Sequence, residues 1–154
     1  RLDILRAQGI TLTDIQNEIA KLKPLDGAKD FLDWAGERFQ VAIISDTFYE
    51  FAGPLMVQLG DPFLLCHKLI VEDDRVVGYK LRQTDPKRHS VKAFKSLDLK
   101  VIAAGDSFND VSMLEEADHG IFFQAPENVR AQFPQYPLAA DYAELQALIE
   151  EAVG

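Results

Sequence analysis

Val101-Ile102-Ala103-Ala104-Gly105-Asp106-Ser107-Phe108-Asn109-Asp110 is a short apolar run, then a glycine, then a polar cluster bounded by two aspartates. The run is too short for a helix and opens with β-branched residues, which predicts a buried parallel strand ended by Gly105-Asp106. A helix is expected from Asp110 to Glu116. A strand that releases an aspartate into a helix start delivers carboxylates to the carboxyl edge of a sheet, where open α/β sheets bind their ligands. Asp106 and Asp110 stand four residues apart, close enough for both carboxylates to approach one cation. Hard oxygen donors suit Mg²⁺, which keeps several waters and binds phosphate oxygens. Aspartate and asparagine at this position also cap helices, so the residues alone leave cap and metal site open.

The same pattern occurs earlier in the chain. Val41-Ala42-Ile43-Ile44 reads as a buried strand ended by Ser45-Asp46-Thr47, with a helix from about Tyr49 to Leu59 that Gly53-Pro54 bends or delays. Leu64-Leu65-Cys66 suggests a short strand. Lys68 to Val71 and Val76 to Leu81 suggest a hairpin around the polar tip Glu72-Asp73-Asp74-Arg75. Pro86 starts a helix with Val91, Phe94 and Leu97 on one face. Gly120 to Phe123 is a third buried strand, Ala125 to Pro137 a proline-rich loop, and Asp141 the cap of a last helix with Leu145, Leu148 and Ile149 inward. Near the N-terminus, Leu2, Ile4, Leu5 and Ala7 predict a helix closed by Gly9, and Thr13 caps a second carrying Ile15, Ile19 and Leu22, with Pro24 beyond its end. Gly27 opens a segment with Phe31, Leu32, Trp34 and Ala35 on its apolar side. Strands alternating with helices predict an α/β fold with a mostly parallel sheet.

Composition narrows the function. The chain has 154 residues, 47% hydrophobic and 27% charged, which excludes a disordered or collagen-like chain. Its 25 acidic and 16 basic residues give −9. That balance argues against nucleic acid and against an anionic membrane surface. Cys66 is the single cysteine, so no intrachain disulfide forms and a reducing, cytoplasmic compartment is expected. No apolar run approaches the ~20 residues of a membrane span. His67, His89 and His119 lack metal-ligand spacing.

Two further residues can bind an anion. Ser45 offers its hydroxyl and nearby backbone amides to a phosphate. Lys87, at a helix start, offers a point charge. Taken singly, Ser45-Asp46 reads as a turn or helix cap and Lys87 as a solvated lysine. Their order along the chain favours a phosphate site: strand-Ser, then Lys at a helix start, then strand-Gly-Asp-x-x-Asn-Asp.

In that order the chain resembles the haloacid dehalogenase-like phosphatase superfamily. Ser45 stands at its second motif, Lys87 at its third, and Gly105 to Asp110 at its fourth. Ile44 to Phe51, Leu65 to Lys68 and Asp85 to Arg88 resemble the phosphoserine phosphatase branch, in particular the bacterial phosphoserine phosphatase/homoserine phosphotransferases. The resemblance implies a Rossmann-like three-layer α/β sandwich (24–154) with a β-hairpin, and a partial helical cap of which 1–23 is the remnant. It also implies an enzyme of serine biosynthesis: a Mg²⁺-dependent phosphomonoesterase that attacks O-phosphoserine through a phosphoaspartyl intermediate, with homoserine as an alternative acceptor. Lys87 would then serve catalysis and, with Ser45, grip the phosphoryl oxygens. Asp106 would ligate Mg²⁺ and Asp110 support the metal site. Asn109 would contact substrate or phosphate, Asp46 would lie in a substrate loop, and Arg1 would grip the substrate carboxylate, which a guanidinium matches bidentately.

One motif departs. The family's first motif, Asp-x-Asp or Asp-x-Glu after an apolar strand, does not occur in residues 1–154. In the family that strand lies between those ending at Ser45 and Ala104, and a sheet without it would expose two apolar edges. The expectation is therefore of an upstream segment of roughly 30–50 residues, without which no covalent turnover is expected. The rival expectations are a non-catalytic phospho-ligand module and a sugar or nucleotide phosphatase of the same superfamily. Oligomeric state is left open.

Overall fold

A capped helix opens the part of the chain that the computed structural model describes, residues 9–154. The first expected helix and Arg1 lie outside the described residues. Helix α1 (Leu12–Ile19) is capped by Thr11 rather than Thr13. Thr11 Oγ1 accepts from the Asp14 amide at 3.1 Å, and Asp14 Oδ2 accepts from the Thr11 amide at 3.0 Å, a reciprocal box. The Thr13 amide bonds Asp74 Oδ1 instead. Helix α2 (Ala28–Gly36) opens at Gly27, whose φ of 83° suits a residue without Cβ.

Strand β1 (Ile43–Phe48) starts later than expected and runs through Ser45-Asp46-Thr47, with an irregular register after Ile44. Helix α3 (Tyr49–Gln58) contains Pro54 without breaking. Proline removes the donor that would reach the carbonyl four residues back, here Glu50. Gln16 Nε2 donates to that carbonyl at 2.8 Å, so α1 fills the gap in α3. The two strands expected across Leu64 to Val71 are one, β2 (Leu64–Glu72), parallel to β1 in its first part and antiparallel to β3 (Arg75–Lys80) in its second. Asp73 and Asp74, with φ of 47° and 62°, form the two-residue connection between paired Glu72 and Arg75.

These elements belong to a unit that ends at Thr84; a second unit runs from Asp85 to Gly154. It holds α4 (Pro86–Lys95), β4 (Ile102–Gly105), a single 3₁₀ turn (Phe108–Asp110), α5 (Val111–Glu116), β5 (His119–Phe123), α6 (Glu127–Arg130), β6 (Leu138–Ala139) and α7 (Tyr142–Val153). The order β4-β5-β6 is parallel throughout. Two features of this unit differ from expectation. Leu97 lies past the end of α4 and is 69% exposed. The proline-rich loop contains α6, whose cap is Pro126, and β6, whose Leu138 and Ala139 align with Phe122 and Phe123. The core of this unit is built on Val91, Leu114, Ile121, Phe122, Ala139 and Leu145; that of the first on Ala52, Cys66, Leu69 and Val76.

Among the described residues β1 pairs only with β2 and β4 only with β5. Strands alternating with helices, with β1–β2, β4–β5 and β5–β6 all parallel, are the α/β organisation expected. No described helix is long and apolar enough to cross a membrane.

Candidate active site

Lys87 is the second residue of α4, and its aliphatic stem is buried on the way to Asp110. Lys87 Nζ donates to Asp110 Oδ1 at 2.7 Å, with both side chains about nine-tenths buried. The other oxygen, Asp110 Oδ2, accepts from the Asp106 amide at 3.0 Å, the Ser107 amide at 3.0 Å and Ser107 Oγ at 2.9 Å. Four donors thus fill the lone pairs of one carboxylate. Gly105 makes this possible by proximity: a Cβ there would stand 2.5 Å from Asp110 Cβ. The cap expectation is met here: Asp110 closes the turn that follows β4, and it also fixes the lysine.

The electrostatics of the two aspartates diverge. Burial works to raise the Asp110 carboxyl, but the Lys87 ammonium and the Ser107 and Asp106 donors outweigh it and hold the group below its ordinary range. Asp106 moves the opposite way: burial and then the charge of Asp110 push its carboxyl up. The residue is exposed and its ionised form is disfavoured, so a divalent cation there would offset the cost of ionising it. Among the described residues no group of three or more His, Cys, Asp or Glu is placed to hold a metal. Zinc and calcium sites take such sets, whereas Mg²⁺ binds through one or two carboxylates and completes its shell with water and phosphate oxygens. Asp106 with Asp110 behind it fits Mg²⁺.

Asn109 lies exposed in the 3₁₀ turn beside these groups. In the first unit, Ser45 Oγ accepts from the Thr47 amide at 3.2 Å, a local turn that aims the end of β1. Asp46 is exposed, with its Oδ1 3.9 Å from His67 Nε2. His67 is buried, and its Nδ1 accepts from the Arg82 amide at 3.1 Å, which assigns the ring proton to Nε2 on the Asp46 side. The structure therefore joins Lys87, Asp106 and Asp110 in one cluster and Ser45 and Asp46 on one strand. Sequence reasoning missed Ser107 and His67. The Ser107-x-x-Asp110 spacing of a capping box was the available signal for the first; the second lies in the Leu65–Lys68 stretch, which carried the resemblance but no role for the histidine.

A family model described as haloacid dehalogenase-like hydrolase matches residues 3–118. Phosphoserine phosphatase ThrH of Pseudomonas aeruginosa is 64% identical over 147 residues, 95% of this chain and 72% of that protein. A phosphoserine phosphatase of Pseudomonas syringae pv. tomato is 61% identical over 147 residues, 95% of this chain and 62% of that protein. The crystal structure of phosphoserine phosphatase from T. onnurineus in complex with NDSB-201 superposes with a TM-score of 0.70 at 29% identity, covering 91% of this chain and 66% of that one. The chain thus spans only part of the length of each relative. With its Gly-Asp-x-x-Asn-Asp turn built around a buried lysine–aspartate pair, and with most of its length matched, the chain belongs to the haloacid dehalogenase-like hydrolase family.

Proposed function

We propose that this protein is a Mg²⁺-dependent phosphomonoesterase acting on O-phosphoserine, with homoserine competing against water for the phosphoryl group. The observation that carries this is the buried Lys87–Asp110 pair beneath the exposed, repelled carboxylate of Asp106. With Mg²⁺ on Asp106, that cluster would become an anion site on a protein of net charge −9. The names of the curated relatives support the substrate.

The roles divide by chemistry. Asp106 takes the cation and Asp110 supports it; when bound, the metal neutralises phosphate charge. Lys87 supplies a fixed positive charge to the phosphoryl oxygens. Ser45 donates its hydroxyl and Asn109 its side-chain amide to substrate or phosphate, and Asp46 orients the amino-acid end. Arg1 is proposed to pair with the substrate carboxylate. The phosphoaspartyl route needs a nucleophilic aspartate after an apolar strand, and residues 1–154 contain no such motif. The buried Lys87–Asp110 pair, which needs no covalent step to meet a phosphate, favours a second reading, a phospho-ligand binding module built from the same residues.

Phosphate release and homoserine phosphorylation, followed by ³¹P NMR with phosphoserine, phosphothreonine and sugar phosphates in Mg²⁺, separate the readings. Phosphoserine as best substrate is expected. Turnover of sugar phosphates in preference would overturn the substrate, and phosphoserine binding without turnover by protein that carries the upstream nucleophile would establish the binding module.

A further inference from the structure

Asp85 occupies the capping position of α4 and caps nothing. Its backbone is left-handed, with φ 46° and ψ 57°, and its side chain makes no hydrogen bond to the helix's own amides. Left-handed backbone disfavours a residue with Cβ, and a residue before proline is further restricted to extended conformations. Something outside α4 has to hold it there. Ser112 on α5 does so: its Oγ donates to Asp85 Oδ1 at 2.8 Å. Two residues beyond Asp85, Lys87 reaches Asp110, and Asp110 stands two residues before Ser112. Both links join the first turn of α4 to the start of α5. Ser90 Oγ, which donates to the Pro86 carbonyl at 2.7 Å, stiffens that same first turn.

We propose that Asp85 and Ser112 form a strut that sets where α4 begins and thereby positions Lys87 Nζ on Asp110. Neither residue touches the phosphoryl group; both are positioning residues. The left-handed strain at Asp85 is stored to fix the lysine, as strained backbone near functional groups commonly is. The consequence for turnover rests on the proposed function, whereas the consequence for the ion pair does not.

The test is a double-mutant cycle in urea unfolding of the full chain. Lys87→Met, Asp110→Asn and the pair together give the Lys87–Asp110 coupling, measured once in the parent and once with Ser112→Ala. The strut predicts that the coupling, expressed as a ratio of folding constants, falls at least about threefold when Ser112 is truncated. Asp85→Ala has the same effect. Asp85→Asn, which keeps an acceptor oxygen and tolerates left-handed backbone, restores the coupling. A bond that merely tied two helices together would lower overall stability and leave the coupling unchanged, and that result would overturn the strut. Should Asp85→Ala not fold, Ser112→Ala alone decides. In phosphoserine turnover by protein that carries the upstream nucleophile, Ser112→Ala lowers kcat about tenfold with KM within about twofold. Absence of turnover in protein that carries the upstream nucleophile overturns the proposed function only, because the unfolding cycle needs no activity.

Discussion

Gly105 shows how one atom controls the site. Its missing Cβ leaves room for Asp110, so Gly105→Ala forces the carboxylate off Lys87 and is expected to destabilise by about 1–3 kcal/mol, read by urea unfolding. Asp110 also links stability to pH. Its carboxyl lies below the ordinary 3.8, so the stabilisation is complete above that value and is lost as pH falls through the lower folded value. Unfolding midpoints followed from about pH 5 to about pH 2 should show an acid limb that Asp110→Asn makes shallower. Cys66 behaves oppositely: burial, with the charge of Glu50, pushes its thiol up to about 11. It should resist a thiol reagent at pH 8 in the native protein and react once urea unfolds it.

Elements carry their own dependencies. Helix α3 tolerates Pro54 because Gln16 of α1 serves the orphaned Glu50 carbonyl. Gln16→Ala should therefore cost about 1 kcal/mol in unfolding free energy, and Pro54→Ala should make that same substitution close to neutral. A Gln16→Ala effect that persists unchanged in the Pro54→Ala background would show that the carbonyl is not what Gln16 serves. A helix from about Tyr49 to Leu59 was expected after the strand, and Gly53-Pro54 argued for a bend or a delay; the rescue came from 34 residues away, which no local pattern displays. The fusion of two short strands into β2 has the same origin, since its halves pair with different neighbours, β1 on one stretch and β3 on the other.

At the scale of the whole molecule, a net charge of −9 opposes anion binding everywhere except where a cation collects. Mg²⁺ at about 100 times its dissociation constant should stabilise the folded chain by about 2.7 kcal/mol, visible as a rise in melting temperature that EDTA reverses. Asp106→Asn should abolish that rise; a variant that keeps it would show that the cation binds elsewhere. The α/β order, the strand that ends at Gly105-Asp106 and the identity of Lys87, Asp106 and Asp110 were determined by the sequence itself, because hydrophobic period and strand-end chemistry are local properties. Only the tertiary structure decided that Asp110 directs its oxygens to Lys87 and Ser107 while Asp106 stays exposed, and that Asp85 reaches Ser112 instead of its own helix. Those choices depend on groups far apart in the chain meeting at short range, and spacing along a sequence carries no record of which partner a carboxylate will meet.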